Sequence, residues 1–352
     1  MTYDYIIVGQ GVAGTFLSWQ LMQAGKSVLV IDDAKPFTAS KVASGVINPV
    51  TGRRIVRTWM IETLLPFALD AYTTLGKQLG VNLIEQTNIL DFHPTPQMML
   101  AFKERLPVES DYLRVPTNEA AYQQYFNITF GIGEINPCYL VDLRTMIEKW
   151  RNYLQAKNAL LKESFDVTQL IHHSPFTIHY KDVTASAIIF ADGAAGADNP
   201  YFSLLPYAKN KGQAIIADIP DLPRTSIYKQ SITLVPWQDN LWWIGSTYEW
   251  DFKNLEPSAD FRNKVEAQLQ HWLKLPYSIV DHIASERPAN LERRPFVGMH
   301  PVHTNIGVFN GMGTKGCSLS PYFAKQFTEA LIQKNAINPL ADVQRFTKIL
   351  SR

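Results

Sequence analysis

The segment Tyr5–Asp32 constrains this chain of 352 residues more than any other. Tyr5-Ile6-Ile7-Val8 is a short continuous apolar run, as expected of a parallel strand buried on both faces. It leads into Gly9-Gln10-Gly11-Val12-Ala13-Gly14, a G-x-G-x-x-G turn, and helix-forming residues follow from Val12 to about Ala24. Gly25 is placed to end that helix, and Ser27–Ile31 reads as a second strand closed by Asp32. Each glycine has a mechanical task. Gly9 permits the tight turn, Gly11 lets the backbone approach a pyrophosphate, and Gly14 lets the helix pack closely on the strand. The first helical turn, with Val12 and Ala13, presents N–H groups and the positive end of the helix dipole to phosphate. Asp32 stands where an acid accepts hydrogen bonds from ribose hydroxyls, and an acid there disfavours a 2′-phosphate. A lone glycine turn would say little, but strand, turn, helix, strand and acid in register predict a dinucleotide site. NAD and FAD both remain open at this point.

A chain of this length exceeds what one core usually supports, so two domains are expected. The net charge of +1, from 33 basic and 32 acidic residues, gives no global attraction to nucleic acid or to an anionic membrane. Arg53, Arg54 and Arg57 form the only tight arginine cluster near the motif. The N-terminal apolar run is too short for a secretory signal, and no uninterrupted stretch of about 18 apolar residues predicts a membrane span. Cys138 and Cys317 lie far apart and outside any CxxC, which fits free thiols in a reducing cytoplasm. His300-Pro301-Val302-His303 reads as a surface loop and His172-His173 as a turn. No metal site is expected.

Further along, residues 58–80 read as a helix that Pro66 interrupts, and residues 91–140, with Pro94, Pro96, Pro107 and Pro116, as irregular structure with short strands and helices. Asp142 caps a helix reaching about Gln155, and Ala187–Ala191 is a strand entering the turn Asp192-Gly193. Residues 213–249 alternate in β fashion, and Trp237, Trp242 and Trp243 within them and Trp250 just after suit a pocket wall and strand-core packing equally well. Ser258 opens a helix to about Leu275. The first pattern then returns as strand Ile306–Asn310, glycine turn 311–316 and a helix from about Ser320 to Gln333.

The rest of the chain resembles the D-amino acid oxidase family of FAD-dependent oxidoreductases, the group that includes glycine oxidase and monomeric sarcosine oxidase. Nearly the whole length takes part. Ala43-Ser44-Gly45-Val46-Ile47-Asn48-Pro49 is similar to the small-residue loop that passes the cofactor. Val167 sits where the family places a backbone contact to adenine, and Ile188–Gly196, with Gly193, resembles a strand and small-residue turn beside the cofactor. Lys211-Gly212-Gln213 resembles the entry to the substrate domain and Gly245-Ser246-Thr247 a strand within it. Glu286-Arg287-Pro288, Arg293–Gly298 and Asn310-Gly311-Met312-Gly313-Thr314-Lys315-Gly316 follow the closing pattern, in which the last loop meets the flavin ring.

The resemblance implies an α/β fold (α+β overall), a Rossmann-like FAD-binding domain with an inserted antiparallel-sheet substrate domain. Residues 1–82, 141–208 and 284–352 would form the first, and 83–140 and 209–283 the second. It also implies FAD bound noncovalently, because the family's covalent link uses a cysteine near the Arg287 position and none is present there. Cofactor contacts fall on Gly9, Gly11, Val12, Ala13, Gly14, Asp32, Ser44, Gly45, Val167, Gly193, Gly311, Gly313, Lys315 and Gly316. The activity implied is C–N oxidation of a small amine or amino acid by hydride transfer to flavin N5. Arg287 matches the carboxylate anchor of glycine-oxidase-like members, and Arg57 that of sarcosine-oxidase-like members. Where the latter carry a lysine after the closing glycine, this chain has Cys317-Ser318. Two other readings stay open, an oxidoreductase acting on a modified tRNA uridine and a non-catalytic flavin-binding module.

Overall fold

The computed structural model describes residues 1–52, 54–174 and 177–352, without the side chains of His172, His173 and Ser174. Strand Thr2–Val8 lies between Val28–Ile31 and Val183–Phe190, parallel to both. Its side chains alternate between two apolar environments. Ile7 and Val30 face one core, whereas Ile6, Val8, Leu29 and Ile31 face another. A sheet buried on both faces explains why the strand reads as an unbroken apolar run. Ile306–Asn310 joins the far half of Val183–Phe190 in parallel, Phe296–Met299 folds back on it, and Thr177–Tyr180 takes the near half antiparallel.

The second sheet is antiparallel apart from one pair. It runs Ser278–Arg287, Asn210–Asp218, Trp242–Gly245, Thr233–Pro236, Ile227–Lys229, Ile84–Phe92, Ile132–Val141 and Val46–Ile47, with only Ile227–Lys229 and Ile84–Phe92 parallel. Phe261, Val265, Leu269 and Trp272 of the Ala259–Trp272 helix pack in the core on one of its faces, and Ser258 Oγ caps that helix by accepting from the Phe261 N–H. Asp142 likewise caps the Leu143–Ala156 helix through the Thr145 N–H. No helix among the described residues is long and apolar enough to cross a membrane.

Several expectations are corrected. Helix Ile61–Leu79 runs unbroken through Pro66. The carbonyl deprived of its donor belongs to Glu62 on the exposed side, while Leu64, Ala68, Tyr72 and Leu75 bury the opposite stripe. Residues 91–140 do hold short elements, but also most of a long one, the ten-residue strand Ile132–Val141, paired along the nine-residue Ile84–Phe92. The last long helix begins at Gly316 rather than Ser320 and passes through Pro321. The carbonyl that Pro321 cannot serve, that of Cys317, accepts instead from the buried Tyr72 hydroxyl at 3.1 Å. His172 and His173 belong to strand Leu170–Ser174, not a turn, and Ser246 and Thr247 follow the strand that ends at Gly245. His300 is buried rather than on the surface. Its Nδ1 accepts from the Val302 and His303 N–H groups, and burial pushes its pKa down to about 4, which keeps the ring neutral.

Candidate functional site

A cavity of about 1100 Å³ opens where the first sheet's strands end. Val8, Ile31, Ala191 and Asn310, at or just past the carboxyl ends of four strands, form one side, and Gly212, Trp243 and Arg287 of the second sheet form the other. Ligands of open parallel sheets bind in this position. Gly9, Gly11, Val12 and Ala13 line it. Gly14 lies beneath, where an added Cβ would stand 1.9 Å from the Gly9 carbonyl oxygen, so the helix can sit on the turn only with glycine there. The Val12–Gln23 helix has no side-chain cap at Gly11, and of its first N–H groups that of Val12 is met by Ser40 Oγ at 3.0 Å. The first turn thus faces the cavity with donors to offer.

Asp32 lines the same end, but it is already engaged. Its Oδ2 accepts from the Gln10 N–H at 2.9 Å, and its Oδ1 from the Ala34 N–H at 2.8 Å and from Arg151 at 2.7 Å. A carboxylate offers about four acceptor positions, so roughly one remains for a ribose hydroxyl. Arg151 also donates to the Asp32 carbonyl and to Gln10 Oε1, and Gln10 Nε2 donates to the Ile147 carbonyl, which ties the turn to the Leu143–Ala156 helix. Sequence reasoning missed Arg151 and Gln10. They come together only in the fold, and their sole local signal was the polar residue inside the glycine turn.

Ser44, Gly193, Gly313, Lys315 and Gly316 also line the cavity, whereas Gly45, Val167 and Gly311 do not. Val167 is exposed on a short 3₁₀ turn, with Glu163, Ser164 and Phe165 lining the cavity in its place. Gly45 and Gly311 set backbone positions, at φ of 82° and 73°, against Val141 and Phe296. The two loops that carry Gly193 and Gly311 are pinned together. Asn310 Nδ2 donates to Asp192 Oδ1 at 2.8 Å and to the Gly193 carbonyl at 2.9 Å, and burial raises the Asp192 pKa to about 6. A Cβ built on Gly193 meets no atom within 4 Å, so the space beside it belongs to the cavity. Lys315 Nζ donates to Thr58 Oγ1 at 3.0 Å, and its pKa is pushed down to about 8 by burial and by Arg294 and Arg293.

The two candidate anchors part company. Arg57 does not line the cavity. Its guanidinium is held by Glu109, by Glu62 at 2.7 Å and by Asp111 at 3.4 Å, so its charge is already paired outside the cavity. Arg53 lies outside the described residues, and Arg54 is exposed in a turn.

Arg287 lines the cavity and has no carboxylate within 4 Å among the described residues. Its Nη1 donates to Asn210 Oδ1 at 2.9 Å and to the Thr247 carbonyl at 2.8 Å, and its Nη2 to Ser246 Oγ at 3.0 Å. Three of five N–H groups are thereby used, which leaves Nε–H and one Nη2–H for a two-point grip on an anion. Burial lowers its pKa, though a guanidinium stays charged at any working pH. A Cβ on Gly212 would fall 1.9 Å from Nη2, so the cation lies directly over that glycine. Its other neighbour is the Tyr248 ring, with its centroid 4.7 Å away. Trp243 lines the cavity with its indole N–H on the Val42 carbonyl, whereas Trp242 is wholly in the core, Trp237 lies under Arg144, and Trp250 is exposed.

The family described as FAD dependent oxidoreductase (DAO) matches residues 4–330. A glycine oxidase of Pseudomonas putida is 23% identical, covering 94% of this chain and 95% of its own. Two solved structures share the fold. Glycine oxidase from Geobacillus kaustophilus has a TM-score of 0.79 at 17% identity, over 97% of this chain and 98% of its own. That from Bacillus cereus has a TM-score of 0.80 at 14% identity, over 99% of each chain.

Proposed function

The chain belongs to the DAO family of FAD-dependent oxidoreductases, and from that premise we propose that it oxidises the C–N bond of a small amino acid held by Arg287. The observation that carries this reading is a cavity-facing guanidinium with neutral partners only and two N–H groups to spare. A buried cation without a counter-ion is costly, and an incoming carboxylate relieves that cost while fixing the α-carbon. When bound, FAD supplies the redox chemistry by accepting the hydride. The protein's share is binding and orientation. The first turn of the Val12–Gln23 helix meets the pyrophosphate, Asp32 receives one ribose hydroxyl, and the loops of Gly193 and Gly313 leave room beside the ring system. Lys315 offers a cation at the cavity wall. Asn210, Ser246 and the Thr247 carbonyl hold Arg287 in one orientation.

FAD is bound noncovalently in this reading. Burial pushes the Cys317 thiol up to about 12, so at neutral pH it is a poor nucleophile, and Cys138 is buried in the core. Residues 1–82, 141–208 and 284–352 carry the cofactor and 83–140 and 209–283 the substrate side. In support, every strand of the first sheet falls in the former set, while Val46–Ile47 and the end of Ser278–Arg287 cross into the second sheet. Two buried free thiols suit a reducing cytoplasm. The deciding experiment is anaerobic bleaching of the bound flavin by a panel of amino acids and amines. Bleaching by simple amines alone, with carboxylate-bearing substrates inert, would overturn the anchor.

A further inference from the structure

The surroundings of Arg287 restrict the substrate beyond its carboxylate. The guanidinium lies against two neighbours, the Gly212 backbone and the Tyr248 ring. A carboxylate engages the free Nε–H and Nη2–H, and the α-carbon substituent then lies within the same cavity. Tyr248, beside Arg287, and Leu255 both line this cavity and remain 59% and 43% exposed. They belong to residues 246–257, a segment without helix or strand, fastened to the second sheet by reciprocal N–H···O bonds between Lys211 and Glu249 of 2.9 and 3.0 Å. Gln213 reinforces it by donating to Glu249 and Ser258. The segment is thus held in place while its large side chains remain uncovered. The charged pair nearest Arg287 in sequence, Glu286 with Lys209, is internally satisfied at 3.4 Å and offers no free charge to a polar side chain.

Resting on the proposed anchor, we infer that the preferred substrate is an amino acid with a sizeable apolar side chain, which packs against Tyr248 and Leu255, rather than glycine. Uncovered aromatic and aliphatic surface next to a charged anchor is the arrangement of a site that orients by one polar contact and gains affinity by apolar burial. Each buried methylene is then worth about 4-fold in affinity.

The test uses the FAD-loaded protein and reads the perturbation of the flavin's visible spectrum by straight-chain carboxylates. From acetate to pentanoate the dissociation constant should fall about 4-fold per methylene. The series should flatten in Leu255→Ala and in Tyr248→Ala, and Arg287→Ala should weaken every member. A flat or rising series, with acetate still dependent on Arg287, overturns the apolar subsite and leaves the anchor standing. No dependence on Arg287 overturns the anchor and the inference with it. In parallel, leucine or norvaline should bleach the flavin anaerobically faster than glycine does, and glycine being fastest would also refute the inference. If the carboxylate series holds but no amino acid bleaches the flavin, the subsite stands and the proposed reaction fails.

Discussion

Gly212→Ala moves the proposed anchor without touching its charge. Gly212 pairs with Ser285 in an extended strand at an ordinary negative φ, so alanine suits the backbone. The obstacle is the guanidinium. The new Cβ would lie 1.9 Å from Nη2, 2.1 Å from Cζ and 2.6 Å from Nη1. Non-bonded carbon and nitrogen atoms settle near 3.5–4.0 Å, so the cation must retreat by roughly 1.5 Å or more. That motion breaks its geometry with Asn210, Thr247 and Ser246. A misplacement of about 1 Å at a reacting centre costs on the order of 100-fold, so kcat/KM for the best amino acid should fall at least that far. The assay is stopped-flow anaerobic flavin reduction, with FAD content and thermal melting measured alongside. FAD content should stay near wild type, because Gly212 borders the cofactor region without holding it, while the melting temperature falls with the lost hydrogen bonds. The Gly212→Ala/Arg287→Ala double variant should be little worse than Arg287→Ala alone, since both changes remove one interaction. Wild-type reduction rates in a folded, FAD-loaded Gly212→Ala protein would refute the placement of Arg287 over this glycine and its role with it.

The other expectations use the same site. Arg287→Ala should lower kcat/KM by the cost of an unpaired buried carboxylate, about 3–5 kcal/mol, and Arg287→Lys should restore only part, read by the same reduction assay. Asp32→Ala should weaken FAD by about 1.5–3 kcal/mol, one charge-assisted hydrogen bond rather than two, in a fluorescence titration of apoprotein; unchanged affinity would mean that the carboxylate does not meet the ribose. Acid denaturation should release all the FAD into the supernatant, and colour retained by the polypeptide would contradict the neutral, buried Cys317. Lys315 has a folded pKa of about 8 against its ordinary 10.5, so the folded protein binds fewer protons than the unfolded chain between those values. Apoprotein stability relative to a Lys315→Met variant should therefore rise as pH climbs from about 8 to 10.5, measured by melting temperature, and a constant difference would show that the ammonium is not desolvated.

What could be read from the chain alone is what the chain writes locally. Thr2–Val8, its glycine turn, the next helix and Val28–Ile31 lie within about thirty residues, and each supplies its own signal. The same holds for the caps at Asp142 and Ser258, where one side chain meets an N–H three residues on. The prolines misled because their cost depends on partners elsewhere. Pro321 is tolerated in a helix since Tyr72, 245 positions from Cys317, takes the abandoned carbonyl. Strand Ile132–Val141 was obscured because Pro94, Pro96, Pro107 and Pro116 set the reading of the whole stretch 91–140, and its own sequence carries Gly133 and Pro137. Gly133 is small there because the Phe102 ring fills the place of its side chain, at 2.3 Å from an added Cβ.

The two arginines make the limit sharper. Arg57 and Arg287 carry the same functional group, and resemblance offered each as an anchor. The fold decides between them by what it delivers. Arg57 receives Glu109 from 52 positions away and Asp111 from 54, with Glu62 close by, and its charge is spent. Arg287 receives the Asn210 amide oxygen, the Ser246 hydroxyl and the Thr247 carbonyl, which fix its direction without neutralising it. No local pattern around either residue encodes that difference, because every partner that matters but Glu62 is at least 40 positions distant. A guanidinium oriented by neutral acceptors, with Glu249 acting only at a distance, keeps much of its electrostatic demand for an arriving anion. Neutral orientation, more than the presence of arginine, is what recommends Arg287 as the proposed anchor.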